Sequence, residues 1–350
     1  MVSDGERWWH LSRPGSRSPS GSSGGRGLDE SDVRVRPGRR SSRPRTKRRP
    51  EHADAISAMV VAVDRGRWTC APEGDPEVRI TAMRARELGR TPVVVGDQVG
   101  LVGDISGAPD ALARIVRVDE RSSVLRRTAD DADPYERIVV ANAEQLLIVA
   151  SLADPPPRFG LIDRCLVAGY AGGLEPVLCL TKRDLAGPDA VLERYAALEL
   201  PVLVTSPEIG VETVRSRLAG RVSALVGHSG VGKSTLVNRL VPEAARATAA
   251  VSGVGKGRHT SSSAVALPLP GGGWVVDTPG IRSFGLAHVR SDDVVRAFGD
   301  LAEAITDCPR GCTHLGPPTD PECALDELEG AAHRRAMSVR RLLAALGESD

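Results

Sequence analysis

Aromatic residues are scarce in this 350-residue chain: four Trp, three Tyr and three Phe, 3% of the total. So few rings exclude a broad stacking platform as the dominant way of binding a ligand. Long apolar runs are missing too. None approaches the roughly 20 residues that cross a bilayer. The start of the chain has no apolar stretch behind a basic one, as a secretory signal would. A cytoplasmic protein with no membrane role is expected. Net charge is also nearly absent, at +1, but this conceals an asymmetry. Residues 1–50 hold 12 Arg and one Lys against five acidic residues, a net of +8, which leaves −7 on the other 300. A basic arm on a mildly acidic body suggests a polyanionic partner.

Six cysteines are present. Cys165 and Cys179 sit in apolar surroundings and read as small buried hydrophobes. Cys70 stands alone. Cys308, Cys312 and Cys323 cluster with His314 in the pattern Cys-x3-Cys-x-His-x8-Cys. Three thiolates and an imidazole complete a tetrahedral set for one structural Zn²⁺. In a reducing compartment such a cluster means metal rather than disulfide.

The composition divides the chain into four parts. Residues 1–55 are Ser, Gly, Pro and Arg, a disordered basic tail with too little apolar surface to fold. Residues 56–128 carry short strand candidates at 59–63, 79–82, 93–95, 98–102 and 113–118, punctuated by Gly, Asp and Pro. That pattern fits a small closed all-β barrel, an OB-fold. In residues 129–290 strands (138–141, 145–150, 176–180, 201–205, 222–226, 274–277) alternate with helices (159–170, 189–198, 234–240), which implies a parallel α/β sheet covered on both faces. Residues 291–350 read as a mostly helical zinc-binding domain ending in one or two helices over 326–346.

Three motifs carry chemistry, and their order is informative. Gly227-His228-Ser229-Gly230-Val231-Gly232-Lys233-Ser234, followed by Thr235, is a phosphate-binding P-loop between a strand and a helix. Its backbone N–H groups can cradle phosphate, Lys233 can reach the β- and γ-phosphates, and Ser234 can ligate Mg²⁺. Asp277-Thr278-Pro279-Gly280 ends a later strand. There Asp277 can hold Mg²⁺ through water and the Gly280 N–H can sense a γ-phosphate. Thr181-Lys182-Arg183-Asp184 follows a buried strand. Asp184 can accept from N1–H and the exocyclic amine of guanine, which adenine does not offer, and the Lys182 stem can pack along the base. Thr stands where Asn is the commonest choice, and in the supporting loop Thr205-Ser206-Pro207 a Pro replaces the usual Ala. In an ordinary GTPase the guanine reader comes last. Here it comes first, so the chain reads as a circularly permuted P-loop GTPase.

Between the P-loop and Asp277, residues 253–263 form a Gly- and hydroxyl-rich loop in which Thr260 or Ser261 could add a hydroxyl to Mg²⁺. His259 in the same loop could orient water or touch RNA. Ile281 occupies the position where Ras-like enzymes place a water-orienting glutamine. An apolar side chain cannot orient water, so slow intrinsic hydrolysis is expected, with a partner completing the site.

A barrel, a permuted GTPase and a Cys/Cys/His/Cys element in this order resemble the RsgA/YjeQ family of small-ribosomal-subunit-dependent GTPases. The residues carrying the likeness are 181–184, 227–235, 257–260, 277–284 and the four Cys/His positions. The resemblance implies GTP binding and hydrolysis to GDP, stimulated by the 30S subunit during its late maturation. It also implies contacts to 16S rRNA through the barrel and zinc domain, and His259 as the residue assisting hydrolysis. A monomer is expected. Two other readings remain: a P-loop ATPase, which leaves the guanine reader unexplained, and an RNA-binding P-loop switch acting on a different RNA.

Overall fold

A computed structural model describes residues 52–128, 136–242, 264–278, 285–344 and 346. The chain begins its described part with five strands: β1 (Ile56–Asp64), β2 (Arg67–Pro72), β3 (Ile80–Arg84), β4 (Gln98–Gly103) and β5 (Ala113–Val118). They are ordered β1-β2-β3-β5-β4, and β4 pairs back on β1, so the sheet closes. The β3–β5 pair is parallel and the others are antiparallel. This is the five-stranded Greek-key barrel expected from the sequence. Its centre is filled by Ala58, Val60, Cys70, Ile80, Val99, Leu101 and Ile115.

Two details of the barrel differ from expectation. Arg67–Pro72 is a strand that the sequence reading did not include, reached through a two-residue turn in which Arg65 and Gly66 both have positive φ. Residues 93–95 are not a strand. The Asp97 carboxylate accepts the Val94 N–H at 2.8 Å and closes a turn there, while the Val93 carbonyl accepts the Trp68 indole N–H at 3.0 Å. Val93 still enters the barrel core, but its backbone is committed to capping the barrel rather than to a ladder.

A hairpin of β6 (Val124–Arg127) and β7 (Arg137–Ala141) leads into the second layer. There β8 (Gln145–Ser151), β9 (Glu175–Thr181), β10 (Val202–Val204), β11 (Val222–Val226), β12 (Val265–Pro268) and β13 (Trp274–Asp277) lie in the order β10-β9-β8-β11-β13-β12. All neighbours are parallel except β12, which runs antiparallel to β13. Strand β8 is buried along its whole length, as a strand covered on both faces must be. Its alternation splits the core in two. Leu146 and Ile148 pack with α1 (Phe159–Ala171), whereas Leu147 and Val149 pack with α3 (Val211–Leu218) and α4 (Lys233–Leu240). Helix α2 (Asp189–Tyr195) follows β9 and ends in a tighter turn over Ala196–Leu198.

The barrel and this sheet are continuous, because β1 also pairs with β12 at Ala62 and Val265. The Arg79 guanidinium lies 5.8 Å from the Trp274 ring centre, a second link between barrel and sheet. The chain ends with short helices α5 (Ser291–Val295) and α6 (Gly299–Ala304), a Cys/His-bearing loop, and α7 (Gly330–Ala344). Among the described residues no helix is long and apolar enough to cross a membrane.

Candidate nucleotide site and metal centre

Strands β9, β11 and β13 end at the same edge of the sheet, so Thr181, Gly227 and Asp277 converge although they are far apart in sequence. The crevice lies where β11 returns beside β8, the switch point at which open α/β sheets bind ligands. The P-loop turns tightly over this edge. A Cβ at Gly227 would lie 2.5 Å from the Val149 carbonyl oxygen, so only glycine fits. Gly232 has φ 92° and caps the start of α4, which directs the helix N-terminus into the crevice. Ser234 and Thr235 are exposed on the first turn. Lys233 is nearly buried; its ammonium contacts the Asp277 carboxylate and donates to the Thr278 carbonyl at 2.6 Å. Thr278 in turn donates to the Leu225 carbonyl at 2.5 Å, tying the end of β13 to β11.

The 181–184 loop is joined to the P-loop directly. The Thr181 hydroxyl donates to the Val231 carbonyl at 2.6 Å in a buried position. This accounts physically for a hydroxyl residue at the first position of the motif. Lys182 adopts φ 60° and its ammonium donates to the Asp154 carbonyl, while Asp184 is exposed at the rim. The 205–207 loop is adjacent, since the Arg183 N–H donates to the Thr205 carbonyl at 3.1 Å. Arg239, near the end of α4, donates to the Ser206 carbonyl at 2.8 Å, a support the sequence reading did not include because nothing in its spacing marks it. Pro207 offers the loop no N–H. Gly280, Ile281, His259, Thr260 and Ser261 lie outside the described residues, as do residues 1–51 of the basic tail.

At the other end of the chain, Cys308, Cys312, His314 and Cys323 bring their ligand atoms within 4.8 Å of one another. His314 Nδ1 lies 3.6 Å from Cys308 Sγ and 3.9 Å from Cys323 Sγ. Its other nitrogen, Nε2, lies 3.1 Å from Asp292 Oδ1 on α5. That carboxylate fixes the ring with Nδ1 facing the sulfurs, the arrangement of a metal-ligating histidine. Asp292 lies 22 residues from His314 in sequence, so no local pattern marks the pair. Burial, reinforced by the neighbouring Cys323 and Cys308 thiols, pushes the Cys312 thiol up to about 12. Thiolates in this position need a cation, and the donor set fits a metal ion. Cys70, Cys165 and Cys179 are different. Each is buried and alone, and burial raises each thiol to about 12.

The P-loop pattern at 227–234, Asp277 and the 181–184 loop lie on one sheet edge in the chain order of a circularly permuted GTPase, here with a barrel and a Cys3His cluster. Residues 118–287 match the family model described as RsgA GTPase. The small ribosomal subunit biogenesis GTPase RsgA of Chlorobaculum parvum is 35% identical over 286 residues, 78% of this chain and 91% of that protein. The chain belongs to the RsgA GTPase family and is a GTP hydrolase. The protein of the same name from Pseudomonas aeruginosa is 38% identical over 271 residues, 74% of this chain and 77% of its own length. The crystal structure of YjeQ from Thermotoga maritima superposes with a TM-score of 0.61 at 25% identity, covering 83% of this chain and 98% of that one. YloQ, described as a circularly permuted GTPase, shares the fold with a TM-score of 0.57 at 21% identity, over 84% of this chain and 96% of its own.

Proposed function

We propose that the protein is a cytoplasmic, monomeric GTPase that binds the immature 30S ribosomal subunit through 16S rRNA, hydrolyses GTP when the subunit stimulates it, and then leaves. The carrying observation is the convergence of the guanine reader, the P-loop and Asp277 in a chain that also bears a barrel and a metal-binding cluster. The relatives named above as small ribosomal subunit biogenesis GTPases support the partner.

In this reading Asp184 accepts from the guanine N1–H and amine, and Lys182 lies along the base. The N–H groups of residues 227–233 hold the phosphates. Lys233 exchanges its contact with Asp277 for the β- and γ-phosphates. Ser234 and, through water, Asp277 hold Mg²⁺, with Thr260 as a further hydroxyl. A Mg²⁺ ion held by these residues would supply positive charge against the charge that builds on the phosphoryl oxygens during hydrolysis. The Gly280 N–H senses the γ-phosphate. His259 assists hydrolysis, since Ile281 cannot orient water. One Zn²⁺ on Cys308, Cys312, His314 and Cys323 fixes the fold of the terminal region. The basic tail adds sequence-independent affinity for RNA, strongest at low salt.

GTP turnover measured with and without purified 30S subunits tests the proposal. Stimulation is expected, with Lys233→Ala inactive. Stimulation by some other RNA but not by 30S would move the protein to a different partner. Competition by ATP equal to that by GTP would remove the GTPase reading.

A further inference from the structure

We propose that Arg340 is the counter-cation of the Cys3His centre and sets how tightly the metal ion is held. The inference rests on the metal reading above. A divalent cation on three thiolates and one neutral imidazole carries a net charge of −1, and Asp292 on His314 adds another negative group beside it. Burying such a charge is costly unless an opposite charge answers it.

Arg340, on α7, is 9% exposed. Its Nε donates to the backbone carbonyl of His314 at 3.1 Å, and its Nη1 donates to Asp326 Oδ1 at 2.6 Å. Its Nη2 is buried and finds no hydrogen-bond partner among the described residues. Cys323 lies within interaction range of the same guanidinium. The loop between two of the ligands is shaped around this group: a Cβ at Gly316 would come within 2.8 Å of Arg340 Cζ. Two other arginines of α7 are used differently. Arg335 pairs with Asp300 and Glu199, and Arg341 donates to the Arg194 carbonyl. Those contacts dock the helix, whereas Arg340 brings a positive charge beside the ligand set and donates to the backbone of one ligating residue. Asp326 competes for that charge.

The test uses the full-length protein, stripped by chelation and titrated with Zn²⁺ against a chromophoric competitor, with binding of a fluorescent GTP analogue as a check on folding. Arg340→Met should lose about 10- to 100-fold in Zn²⁺ affinity, the usual effect of removing an outer-sphere partner. Arg340→Lys should keep most of the affinity. Asp326→Asn should bind Zn²⁺ at least as tightly as the wild type, because it leaves the whole charge of Arg340 to the centre. A folded Arg340→Met protein with wild-type Zn²⁺ affinity overturns the proposal. So does an Asp326→Asn protein that loosens the metal, since packing alone would then explain both. If Arg340→Met does not fold, Asp326→Asn decides. A wild-type protein that takes up no Zn²⁺ would sink the metal reading itself, an outcome distinct from equal affinities across the variants.

Discussion

Replacing Thr181 by Val should weaken GDP and GTP by the same factor. Valine keeps the β-branched shape that suits the end of β9, so the strand should survive. It removes the hydroxyl that donates to the Val231 carbonyl at 2.6 Å. That carbonyl is buried, and leaving a buried acceptor unpaired costs about 1–3 kcal/mol. The bond joins two loops, 50 residues apart in sequence, that the proposed function places around one nucleotide. The variant can relieve the cost by letting the loops separate, and a bound nucleotide must then bring them back. The penalty on binding can therefore reach the full 1–3 kcal/mol, about 5- to 150-fold in Kd. Titration with fluorescent GDP and with a non-hydrolysable GTP analogue measures it. The bridge joins the proposed guanine reader to the P-loop, elements that GDP and GTP would share, so both ligands should shift equally, and Thr181→Ser should restore binding. Unchanged affinities, or a loss confined to the GTP analogue, would refute the idea that this hydroxyl holds the loops in register.

Asp184→Asn should cost at least about tenfold in GTP affinity, since it removes a charged acceptor worth about 1.5–3 kcal/mol per hydrogen bond. It should shift preference toward xanthosine triphosphate, measured by competition. Asp277→Asn should separate two activities: freeing Lys233 from its contact leaves metal-free GDP binding at least as tight, while Mg²⁺-dependent turnover falls. His288 carries a pH prediction. Burial lowers its pKa from 6.5, and its Nδ1 is buried without a partner among the described residues. The unfolded chain then takes up the proton first, so the stability gained from a neutral His288 is present above pH 6.5 and is lost as pH falls through the folded-state value. His288→Gln should flatten that slope in urea unfolding below pH 6.5.

Much of the candidate nucleotide site was legible because its parts are local. A P-loop needs particular residues at fixed spacing between a strand and a helix, and β8, β9 and β11 announce themselves as apolar runs. The Cys3His cluster was legible for the same reason, as chemically unusual residues close in sequence. What escaped depends on distant partners. Asp292 and His314 are brought together by α5, Arg239 and Ser206 by the packing of α4, and Thr181 and Val231 by strand order. None of these pairs leaves a local pattern. In the barrel the misreading at 93–95 has a specific cause. Three valines favour a strand, but Asp97 draws the backbone into a turn, and a side-chain hydrogen bond outweighs a weak local preference. Strand β12 was also overlooked, because four residues ending in a proline give little alternation to read.

Strand β12 matters for a reason apart from nucleotide chemistry. As the outermost strand of the GTPase sheet it would present a row of unpaired backbone groups, an invitation to pair with another copy. The first strand of the barrel covers part of that edge where Ala62 meets Val265. The barrel therefore occupies part of the edge at which a second copy could pair. A GTPase fragment cut free of it should self-associate, measured by sedimentation, even with residues 181–184, 227–234 and 277 unchanged.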